Sequence, residues 1–358
     1  MKGLIAAGGH ATRLRPITTT TNKHLIPLAN VPMILFAVEK MVEAGIRDIA
    51  ININPGEKEI QKVVGDGSQW GARVTYLEQQ GGALGIAHVV ANARNFLGDE
   101  PFVFYLGDNI ILGSIRRFVE RFERENLDCM LALSRVRDPQ RFGVPVMENG
   151  TIVRVEEKPE NPASNLVQTG IYLYNKTFFD AFQVLKPSAR GEYEISDVNT
   201  WLIQHSYRVG WDEISGYWKD TGKPEDLLEG NQLLLNELAY QENKVEGEMH
   251  ASVKIQGKVR IEEGSKIGEN VLIRGPVVIG KNCVIENAYI GPYTSIGNNV
   301  IVKNTELEHS VVFDGVHLNC GRRIVDSIIG FNARVVSVNG SLPLGHKMVV
   351  GDNSMVEI

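Results

Sequence analysis

The sequence predicts an α/β domain built on a mostly parallel sheet, followed by a parallel β-helix. Its 358 residues exceed one compact core, since a domain usually takes about 150 residues. The amino-terminal part alternates short apolar runs with helical patterns, which is typical of a parallel sheet covered by helices. The carboxyl-terminal part repeats aliphatic residues every six positions, which is typical of a β-helix.

The overall composition is that of a globular protein with no general affinity for polyanions. Hydrophobic residues make up 43% of the chain, charged residues make up 22%, and the formal charge is −6. These values disfavour disordered and fibrous classes, and the negative balance gives no basic field to hold nucleic acid. Because of this negative balance, any phosphate site must be built locally. Glycine is also frequent, with 36 residues.

Targeting and metal signals are also missing from the sequence. Neither a run of 18 apolar residues nor the apolar region of a signal peptide is present, so we expect no membrane partner and a cytoplasmic location. The three cysteines, Cys129, Cys283 and Cys320, are far apart, and we interpret them as packing residues. The eight histidines contain no H-x-x-x-H pair, so no zinc site is expected.

Strand and helix patterns alternate along the amino-terminal part. A buried strand over residues 2–7 is followed by a helix from Pro32, in which Leu35, Val38 and Met41 recur at helical spacing. The pattern continues with a strand at 48–53, a short helix at 59–64, a strand at 74–77, a helix at 85–97 and an apolar strand at 101–106. This order predicts a Rossmann-like sheet, in which ligands bind at the carboxyl ends of the strands.

The carboxyl-terminal part has a constant six-residue period. Its aliphatic positions are Ile255, Ile261, Ile267, Ile273, Ile279 and Ile285, and after a five-residue step Ile290, Ile296 and Val302. A β-sandwich would instead show period-two alternation in longer strands. The hexapeptide period predicts a left-handed parallel β-helix, in which these positions stack into one aliphatic column.

The change of pattern gives the expected domain boundary. Of the 26 aromatic residues, 22 precede residue 246, whereas Val and Ile supply 31 of the last 113 residues. We therefore expect one domain over residues 1–240 and a hexapeptide-repeat domain over 241–358. The segment from Pro224 to Val245 has a helical pattern and is predicted to be a connecting helix.

A glycine-rich turn follows the first strand. Gly8 and Gly9 are succeeded by the cations Arg13, Arg15 and Lys23, an order that brings backbone N–H groups and positive charge against a phosphate. The segment is neither a Walker A loop nor a G-x-G-x-x-G motif. A plain tight turn is the alternative interpretation.

This turn resembles the signature of the sugar-phosphate nucleotidylyltransferases. Gly8 to Pro16 matches its first motif, and Lys23 to Leu28 matches the second. Further motifs follow in the family's order: Gly65 to Ser68, Leu106 to Asn109, Glu156 to Pro159, Thr169 to Tyr172, Arg190 to Ile195 and Trp218 to Gly222. Within the family, the chain is most similar to the long glucose-1-phosphate thymidylyltransferases, which carry a hexapeptide-repeat domain.

The resemblance implies a reaction and a cofactor. The reaction transfers a nucleotidyl group from dTTP to glucose 1-phosphate, giving dTDP-glucose and pyrophosphate, so the partners are a nucleoside triphosphate and a sugar 1-phosphate. The cofactor is Mg²⁺, with the catalytic carboxylates Asp108 and Asp220 as its ligands. Asp108 also follows an apolar strand, where a carboxylate can hold Mg²⁺ between two phosphates. A helix cap is the ordinary alternative for a lone Asp there.

The resemblance also implies the remaining site residues. Arg13 and Lys23 are catalytic cations for the triphosphate and pyrophosphate, and Lys158 is the catalytic cation for the sugar phosphate. The nucleotide-binding residues are Gly8, Gly9, Arg13, Gly85 and either Gln79 or Gln80. The sugar-phosphate-binding residues are Gly143, Glu157, Lys158, Thr169, Gly170, Tyr172, Arg190 and Trp218. Without the resemblance, Glu157 and Lys158 would be interpreted as a surface pair and Arg190 as a loop residue.

Ala11 departs from the family's pattern, which has glycine at this position. A β-carbon restricts backbone conformations with positive φ, which glycine adopts freely. If Ala11 must adopt such a conformation, we expect local strain in the loop.

Three alternatives remain open. The base could differ, which would make the chain a uridylyl- or guanylyltransferase, or the sugar substrate could be another hexose phosphate. The β-helix could transfer an acetyl group to an amino-sugar phosphate, with His309 or His317 as the general base. The chain could be a catalytically silent binding protein, although the intact motif cations and carboxylates argue against this.

The flat side of a β-helix also predicts a homo-oligomer, as a dimer, trimer or tetramer.

Overall fold

The computed structural model describes residues 1–238, 243–337 and 353–356, arranged as two compact units. The first unit holds residues 1–10 and 33–220, and the second holds residues 11–32 and the described residues from 221 onwards. The boundary expected between residues 240 and 241 lies outside the described residues.

A seven-stranded sheet forms the centre of the first unit. Its strands, in spatial order, are Val209–Glu213, Cys129–Arg135, Leu166–Tyr174, Phe102–Leu106, Lys2–Ala6, Asp48–Ile53 and Arg73–Glu78. Leu166–Tyr174 is antiparallel to both neighbours, and every other adjacent pair is parallel. The prediction of a mostly parallel sheet is confirmed.

Helices cover this sheet. They are Met33–Glu43, Glu59–Val64, Ile86–Asn92, Arg94–Leu97, Arg116–Arg124, Thr177–Val184 and Ile195–Gln204. The helix predicted at 85–97 is thus two short helices that meet at Ala93. None of the helices in the described ranges is long and apolar enough to cross a membrane.

Aromatic and aliphatic side chains from alternate strand positions fill the core on one face of the sheet. Phe102, Phe104 and Tyr172 from the central strands pack with Phe178 of Thr177–Val184, and all are buried. Successive side chains on a strand point to opposite faces, so every second residue contributes to this layer. The apolar run of the strand Phe102–Leu106 therefore serves both faces of the sheet.

Two small antiparallel pairs extend the first unit. Gly143–Glu148 pairs with Thr151–Glu157, and Asn109–Ile111 pairs with Trp218–Asp220. The second pair brings the last residues of the unit back to the loop that follows Phe102–Leu106.

The second unit begins with the segment 11–32. It contains the single-turn 3₁₀ helices Thr12–Leu14, Ile17–Thr19 and Lys23–Leu25 and the short strands Pro27–Leu28 and Val31–Pro32. The next element of this unit is the helix Pro224–Leu238. The prediction that this helix reaches Val245 is wrong, because Lys244–Val245 is a strand paired in parallel with Val259–Ile261. Pairing with the strand Val259–Ile261 overrides the local helical pattern of Lys244–Val245.

Three parallel sheets form the β-helix. The first contains Lys244–Val245, Val259–Ile261, Val277–Ile279, Thr294–Ile296, Val311–Val312 and Ile328–Ile329. The second contains Glu248–Met249, Lys266–Ile267, Val284–Glu286, Ile301–Lys303, His317–Asn319 and Arg334–Val336. The third contains Lys254–Gln256, Val271–Arg274, Ala288–Ile290, Glu306–Glu308 and Arg323–Val325. The predicted left-handed parallel β-helix is confirmed.

The aliphatic positions form three columns, and the prediction of a single column is wrong. Ile255 stacks on Ile273, which lies 18 residues later, and not on Ile261. A step of six residues carries the chain around a corner to the next sheet, so positions three steps apart become neighbours. Ile261 and Ile267 begin the other two columns, and the three columns meet in one buried apolar core.

Candidate active site

The carboxyl ends of four neighbouring parallel strands meet at one edge of the sheet. Lys2–Ala6 lies between Phe102–Leu106 and Asp48–Ile53, and Arg73–Glu78 pairs with the latter. Loops that follow parallel strands at one edge are where such sheets bind ligands. Six of the predicted site residues lie in these loops: Gly8, Gly9, Gln79, Gln80, Gly85 and Asp108.

An asparagine that the motifs did not single out clamps the glycine turn. The backbone N–H of Gly9 donates to Oδ1 of Asn54 at 2.8 Å, and Nδ2 of Asn54 donates to the Gly9 carbonyl at 3.1 Å. Gly9 has a φ of 101°, a conformation that favours glycine. The signal that could have found Asn54 is its position directly after the strand Asp48–Ile53.

The structure separates the two glutamines that the sequence left undecided. Nε2 of Gln79 lies 3.2 Å from the Gly82 carbonyl and 3.2 Å from Nδ1 of His88, so this side chain braces its own loop. Burial lowers the pKa of His88, which favours a neutral ring beside the amide. Gln80 is exposed instead, and its carbonyl accepts a hydrogen bond from Nδ2 of Asn92 at 3.1 Å.

Gly85 is required by a close approach of the backbone. A β-carbon at this position would lie 2.6 Å from the Tyr193 carbonyl oxygen and 2.8 Å from the Tyr193 nitrogen. The N–H of Tyr193 donates to the Leu84 carbonyl at 2.8 Å, which joins the loop that follows Arg73–Glu78 to the Arg190 to Ile195 motif. Gly85 therefore holds two predicted motifs together.

Asp108 and Trp218 are joined through Asn109. Nδ2 of Asn109 donates to Oδ1 of Asp108 at 2.8 Å, and Nε1 of Trp218 donates to Oδ1 of Asn109 at 2.7 Å. The indole is a donor only, so it fixes which end of the amide is oxygen. Trp218 also packs edge-to-face on Phe142, with ring centroids 5.4 Å apart.

Asp220 lies beside Asp108 in the first unit. In the antiparallel pair formed by Asn109–Ile111, Asp220 is the cross-strand partner of Asn109, the residue that follows Asp108. Nη2 of Arg141 lies 3.7 Å from Oδ2 of Asp220, and both side chains are about four-fifths shielded from solvent. Arg141, which also forms an ion pair with Asp138 at 2.9 Å, is a cation at this place that the sequence motifs did not single out.

The donor set at this place suits Mg²⁺. Mg²⁺ is a hard cation that proteins bind through one or two carboxylates together with substrate phosphates and water. Asp108 and Asp220 supply two carboxylates, and in the described parts of the chain no cluster of three His, Cys, Asp or Glu side chains forms a closed cage. An open pair of this kind fits a metal that is shared with a phosphate.

A second group of predicted residues lies on the pair formed by Gly143–Glu148 and Thr151–Glu157. Gly143 is directly opposite Glu157, and the N–H of Lys158 donates to the Phe142 carbonyl at 2.9 Å. Lys158 has a φ of 46°, in the left-handed region that costs a non-glycine residue energy. Its Nζ lies 3.5 Å from Oε1 of Glu157 and is partly exposed.

A buried hydrogen bond from Ser196 orients the carboxylate of Glu157. Its hydroxyl donates to Oε2 of Glu157 at 2.6 Å, and the residue is fully buried. Gly143 lies over this pair, and a β-carbon there would be 2.6 Å from Oγ of Ser196 and 2.8 Å from Oε1 of Gln168. Gly143 thus gives room to the network, and Ser196 and Gln168 are residues that the motifs did not single out.

Arg190 is surrounded by carboxylates. Its Nη2 lies 2.8 Å from Oε1 of Glu194, 3.4 Å from Oε1 of Glu157 and 3.6 Å from Oε2 of Glu192. Although partial burial opposes the charged form, these carboxylates raise the pKa of Arg190. These contacts let Arg190 hold the carboxylate of Glu157 in place, while the Arg190 side chain stays 39% exposed.

Three residues of the Thr169 to Tyr172 motif have interior positions. The hydroxyl of Thr169 donates to the Ala132 carbonyl at 2.9 Å, and Tyr172 stacks on Phe104 within the core. A β-carbon at Gly170 would lie 2.8 Å from Cγ of Asn109, so glycine makes room for that amide. The side chains of Thr169 and Tyr172 therefore pack inside the first unit, and Gly170 makes room for the Asn109 side chain next to Asp108.

Arg13 and Lys23 belong to the segment 11–32 of the second unit. Arg13 is exposed on the turn Thr12–Leu14, and Lys23 begins the turn Lys23–Leu25. Ala11, which precedes the first turn, has φ 45° and ψ 45°. The left-handed conformation that the missing glycine would allow is therefore present, and alanine carries its strain.

The β-helix contains a histidine paired with a carboxylate. Nδ1 of His309 lies 2.5 Å from Oδ1 of Asp326, and the His309 ring meets Tyr293 edge-to-face at 6.2 Å. Nε2 of His309 is buried and has no hydrogen-bond partner among the described residues. His309 directly follows the strand Glu306–Glu308 of the third sheet, whereas His317 lies in the strand His317–Asn319 of the second sheet.

The chain is similar to known nucleotidyltransferases. Residues 2–237 match the family described as nucleotidyl transferase. The chain is 41% identical to the low-salt glycan biosynthesis nucleotidyltransferase Agl11 of Haloferax volcanii, over the whole length of both proteins. It is 40% identical to a glucose-1-phosphate thymidylyltransferase of Streptomyces griseus, covering 100% of this chain and 99% of the relative.

A solved structure agrees with a large part of the fold. A Bacillus anthracis chain classed as a glucose-1-phosphate thymidylyltransferase, in complex with a sucrose, matches with a TM-score of 0.61 and 41% identity. The match covers 64% of this chain and 94% of the solved one. Together with the strand-end carboxylates and the ordered motifs, these similarities show that the chain belongs to the nucleotidyl transferase family.

Proposed function

We propose that this chain transfers the thymidylyl group of dTTP to glucose 1-phosphate in an Mg²⁺-dependent reaction. A phosphate oxygen of the sugar phosphate attacks the α-phosphorus, a new P–O bond forms, and the bond from the α-phosphorus to the β-phosphate bridging oxygen breaks. The products are dTDP-glucose and pyrophosphate. UTP or another hexose 1-phosphate is the alternative substrate.

The observation that carries this proposal is the pairing of Asp220 with the residue next to Asp108. Asp108, which follows a parallel strand, and Asp220, which ends the short strand paired with Asn109–Ile111, would bind Mg²⁺. The cation would supply the positive charge that lets one phosphate approach another. A chain of net charge −6 needs such a local source of positive charge.

Side-chain cations complete the charge balance in this proposal. Lys158 would hold the attacking phosphate, because its ammonium group is partly exposed beside Glu157. Arg141, which lies 3.7 Å from Asp220, would stabilise charge on the transferred phosphate. Arg13 and Lys23 keep the role that the resemblance implies, on the triphosphate and the departing pyrophosphate.

Two side chains would select the substrates. Gln80 is exposed and can offer both a donor and an acceptor to the edge of a pyrimidine, whereas Gln79 is engaged within its loop. Glu157 is held by Ser196 and would accept hydrogen bonds from sugar hydroxyls. Thymine and uracil nucleotides differ by one methyl and one hydroxyl, which is commonly worth about 1–3 kcal/mol, so some use of UTP is expected.

A pyrophosphate-release assay tests the proposal. Four nucleoside triphosphates are paired with several hexose 1-phosphates, with and without Mg²⁺. We expect the highest kcat/KM with dTTP and glucose 1-phosphate and no turnover without a divalent cation. Release with a different pair would replace the proposed substrates, and no release with any pair would overturn nucleotidyl transfer itself.

The variant Asp108→Asn tests the role of the carboxylate. We expect a loss of turnover of at least about 100-fold, because the neutral amide is a poor Mg²⁺ ligand. The thermal midpoint should stay within a few degrees of the wild type. Equal loss of folding would make Asp108 structural, and unchanged turnover would remove it from the site. Asp99→Asn, at an exposed ion pair with Arg94, is the matched control.

A second candidate function is acetyl transfer at His309. Its support is the 2.5 Å contact between Nδ1 of His309 and Asp326, an arrangement that orients an imidazole as a general base. The test is acetyl-CoA consumption with glucosamine 1-phosphate, in the wild type and in His309→Asn. We expect this activity to be lost in the variant while pyrophosphate release is retained. No consumption by the wild type would overturn the candidate.

We also propose a homo-oligomer and a cytoplasmic location. The parallel sheets of a β-helix offer long flat sides for self-association, and closed symmetric assemblies are common. Both proposed substrates are metabolites of the cytoplasm. Sedimentation equilibrium of the full-length chain measures the assembly, and a mass equal to 39.6 kDa would show a monomer instead.

A further inference from the structure

A relay of two hydrogen bonds runs from Trp218 to Asp108. The indole N–H donates to Oδ1 of Asn109 at 2.7 Å, and the amide group of the same side chain donates to Oδ1 of Asp108 at 2.8 Å. Both bonds use the amide in one orientation, because the indole nitrogen cannot accept. The carboxylate of Asp108 therefore has a directed donor on one oxygen.

The surroundings of Asn109 leave its amide little freedom. The side chain is 1% exposed, and the Tyr105 hydroxyl donates to the Asn109 carbonyl at 3.1 Å. Gly170 lies against the amide so closely that a β-carbon would be 2.8 Å from Cγ and Nδ2. A buried amide with both ends bonded is costly to rotate, since rotation would leave two polar groups unsatisfied.

The relay also connects the two carboxylates of the proposed metal site. Trp218 and Asp220 are two residues apart on the strand Trp218–Asp220, so their side chains point to the same side. Asn109 is the cross-strand partner of Asp220, and the same amide contacts Asp108. The strand Trp218–Asp220 thus supplies the carboxylate of Asp220 and the indole N–H of Trp218. That N–H orients the side chain of Asn109, which in turn donates to Asp108.

We propose that Asn109 and Trp218 are positioning residues that hold Asp108 in one orientation for the divalent cation. This inference rests on the proposed function, because it takes the carboxylates of Asp108 and Asp220 as the metal ligands. Partners of this outer kind typically change metal affinity by about 10- to 100-fold when they are removed. Neither residue contacts the cation in this proposal.

Mn²⁺ binding to the full-length chain tests the proposal without turnover. Free Mn²⁺ is measured by electron paramagnetic resonance, with a dTTP analogue whose α and β phosphorus atoms are bridged by methylene. Trp218→Phe removes the indole N–H and keeps an aromatic ring against Phe142. We expect about 10-fold weaker Mn²⁺ binding, at the low end for outer partners. Trp201→Phe is the matched control, since Trp201 packs on His205 away from this relay.

A double-mutant cycle separates a relay from two independent effects. Asn109→Leu should also weaken Mn²⁺ binding, and adding Trp218→Phe to it should cause no further loss, because the indole would then have no amide to orient. Additive losses would overturn the relay. Mn²⁺ binding by Trp218→Phe that equals the wild type would overturn it as well, even if Asn109→Leu fails to fold.

The variant Asp108→Asn distinguishes this inference from the proposed function. If Asp108→Asn loses Mn²⁺ while Trp218→Phe retains it, only the positioning role fails. If Asp108→Asn binds Mn²⁺ as tightly as the wild type, the metal site itself is wrong, and the positioning role falls with it.

Discussion

The hydroxyl of Ser196 donates a hydrogen bond of 2.6 Å to Oε2 of Glu157, from a position with no exposure to solvent. Glu157 also lies within 3.5 Å of Lys158 and 3.4 Å of Arg190. The carboxylate proposed to read the sugar is thus held by one neutral donor and two cations. Its geometry depends on Ser196, because the two cationic side chains are more exposed.

Replacing Ser196 with alanine should impair sugar recognition. A hydrogen bond to a charged group contributes about 1.5–3 kcal/mol, so we expect kcat/KM for the sugar 1-phosphate to fall about 10-fold or more. The KM for the nucleoside triphosphate should stay unchanged and serves as the internal control. Steady-state kinetics with each substrate varied in turn measures both values. Equal changes for both substrates would contradict a specific role for Ser196.

Replacing Ala11 with glycine should relieve backbone strain. Ala11 has a φ of 45°, and the left-handed conformation costs an L-residue about 1–2 kcal/mol. Glycine avoids this strain but lowers the free energy of unfolding by only about 0.4–1 kcal/mol, because it gives the unfolded chain more conformational freedom. We therefore expect the thermal midpoint to rise slightly. Ala91→Gly, within the helix Ile86–Asn92, is the matched control and should lower the midpoint. A similar fall in both variants would show that Ala11 is unstrained.

The carboxyl group of Asp197 should give a pH-dependent contribution to stability. Burial, followed by the negative charges of Glu194 and Glu157, raises its pKa from the ordinary value of 3.8. The folded chain then binds more protons than the unfolded chain just above pH 3.8, so this group makes folding less favourable as pH rises through that window.

The variant Asp197→Asn checks this sign. The variant should melt at a higher temperature than the wild type near pH 7, by a shift on the order of a degree. The difference should shrink as pH falls below 3.8, where the wild-type carboxyl group is protonated in both states. Differential scanning calorimetry at several pH values measures it. A difference that grows at low pH would reverse the sign of our argument.

Two identical substitutions in the β-helix should differ in cost. Val302 is fully buried in one of the three aliphatic columns, whereas Val325 is 45% exposed. Val302→Ala should lower the free energy of unfolding by about 2 kcal/mol, from lost burial and the cavity that remains. Val325→Ala should change it by less than about 0.5 kcal/mol. Denaturant titration of both variants measures the difference, and equal costs would contradict the column packing.

Local signals carried much of the fold prediction. The strands at Asp48–Ile53 and Phe102–Leu106 and the helix Glu59–Val64 follow directly from apolar runs and helical spacing. The helix predicted to reach Val245 could not be ended correctly in this way. Its last residues pair with a strand that lies 16 positions further along the chain, and such pairing is invisible in a local window.

The site shows the same division. Asp108 is predictable because a carboxylate directly after an apolar strand lies at the ligand-binding edge of a parallel sheet. Arg141, Ser196 and Asn54 have no such local mark, and their roles appear only when distant segments come together. Thr169 and Tyr172 show the converse, since a motif can be continuous in sequence while its side chains serve the core.

The sequence by itself determined the class of both domains and the hexapeptide period, because each depends on spacing along one segment, whereas the carboxylate pair Asp108 and Asp220 was implied by the family resemblance. Only the tertiary structure decided that the aliphatic positions form three columns, that Gln79 braces its loop while Gln80 is exposed, and that Trp218 orients Asn109. These features depend on contacts between residues far apart in the chain. Their partners are chosen by packing and hydrogen-bond satisfaction, which no local pattern records.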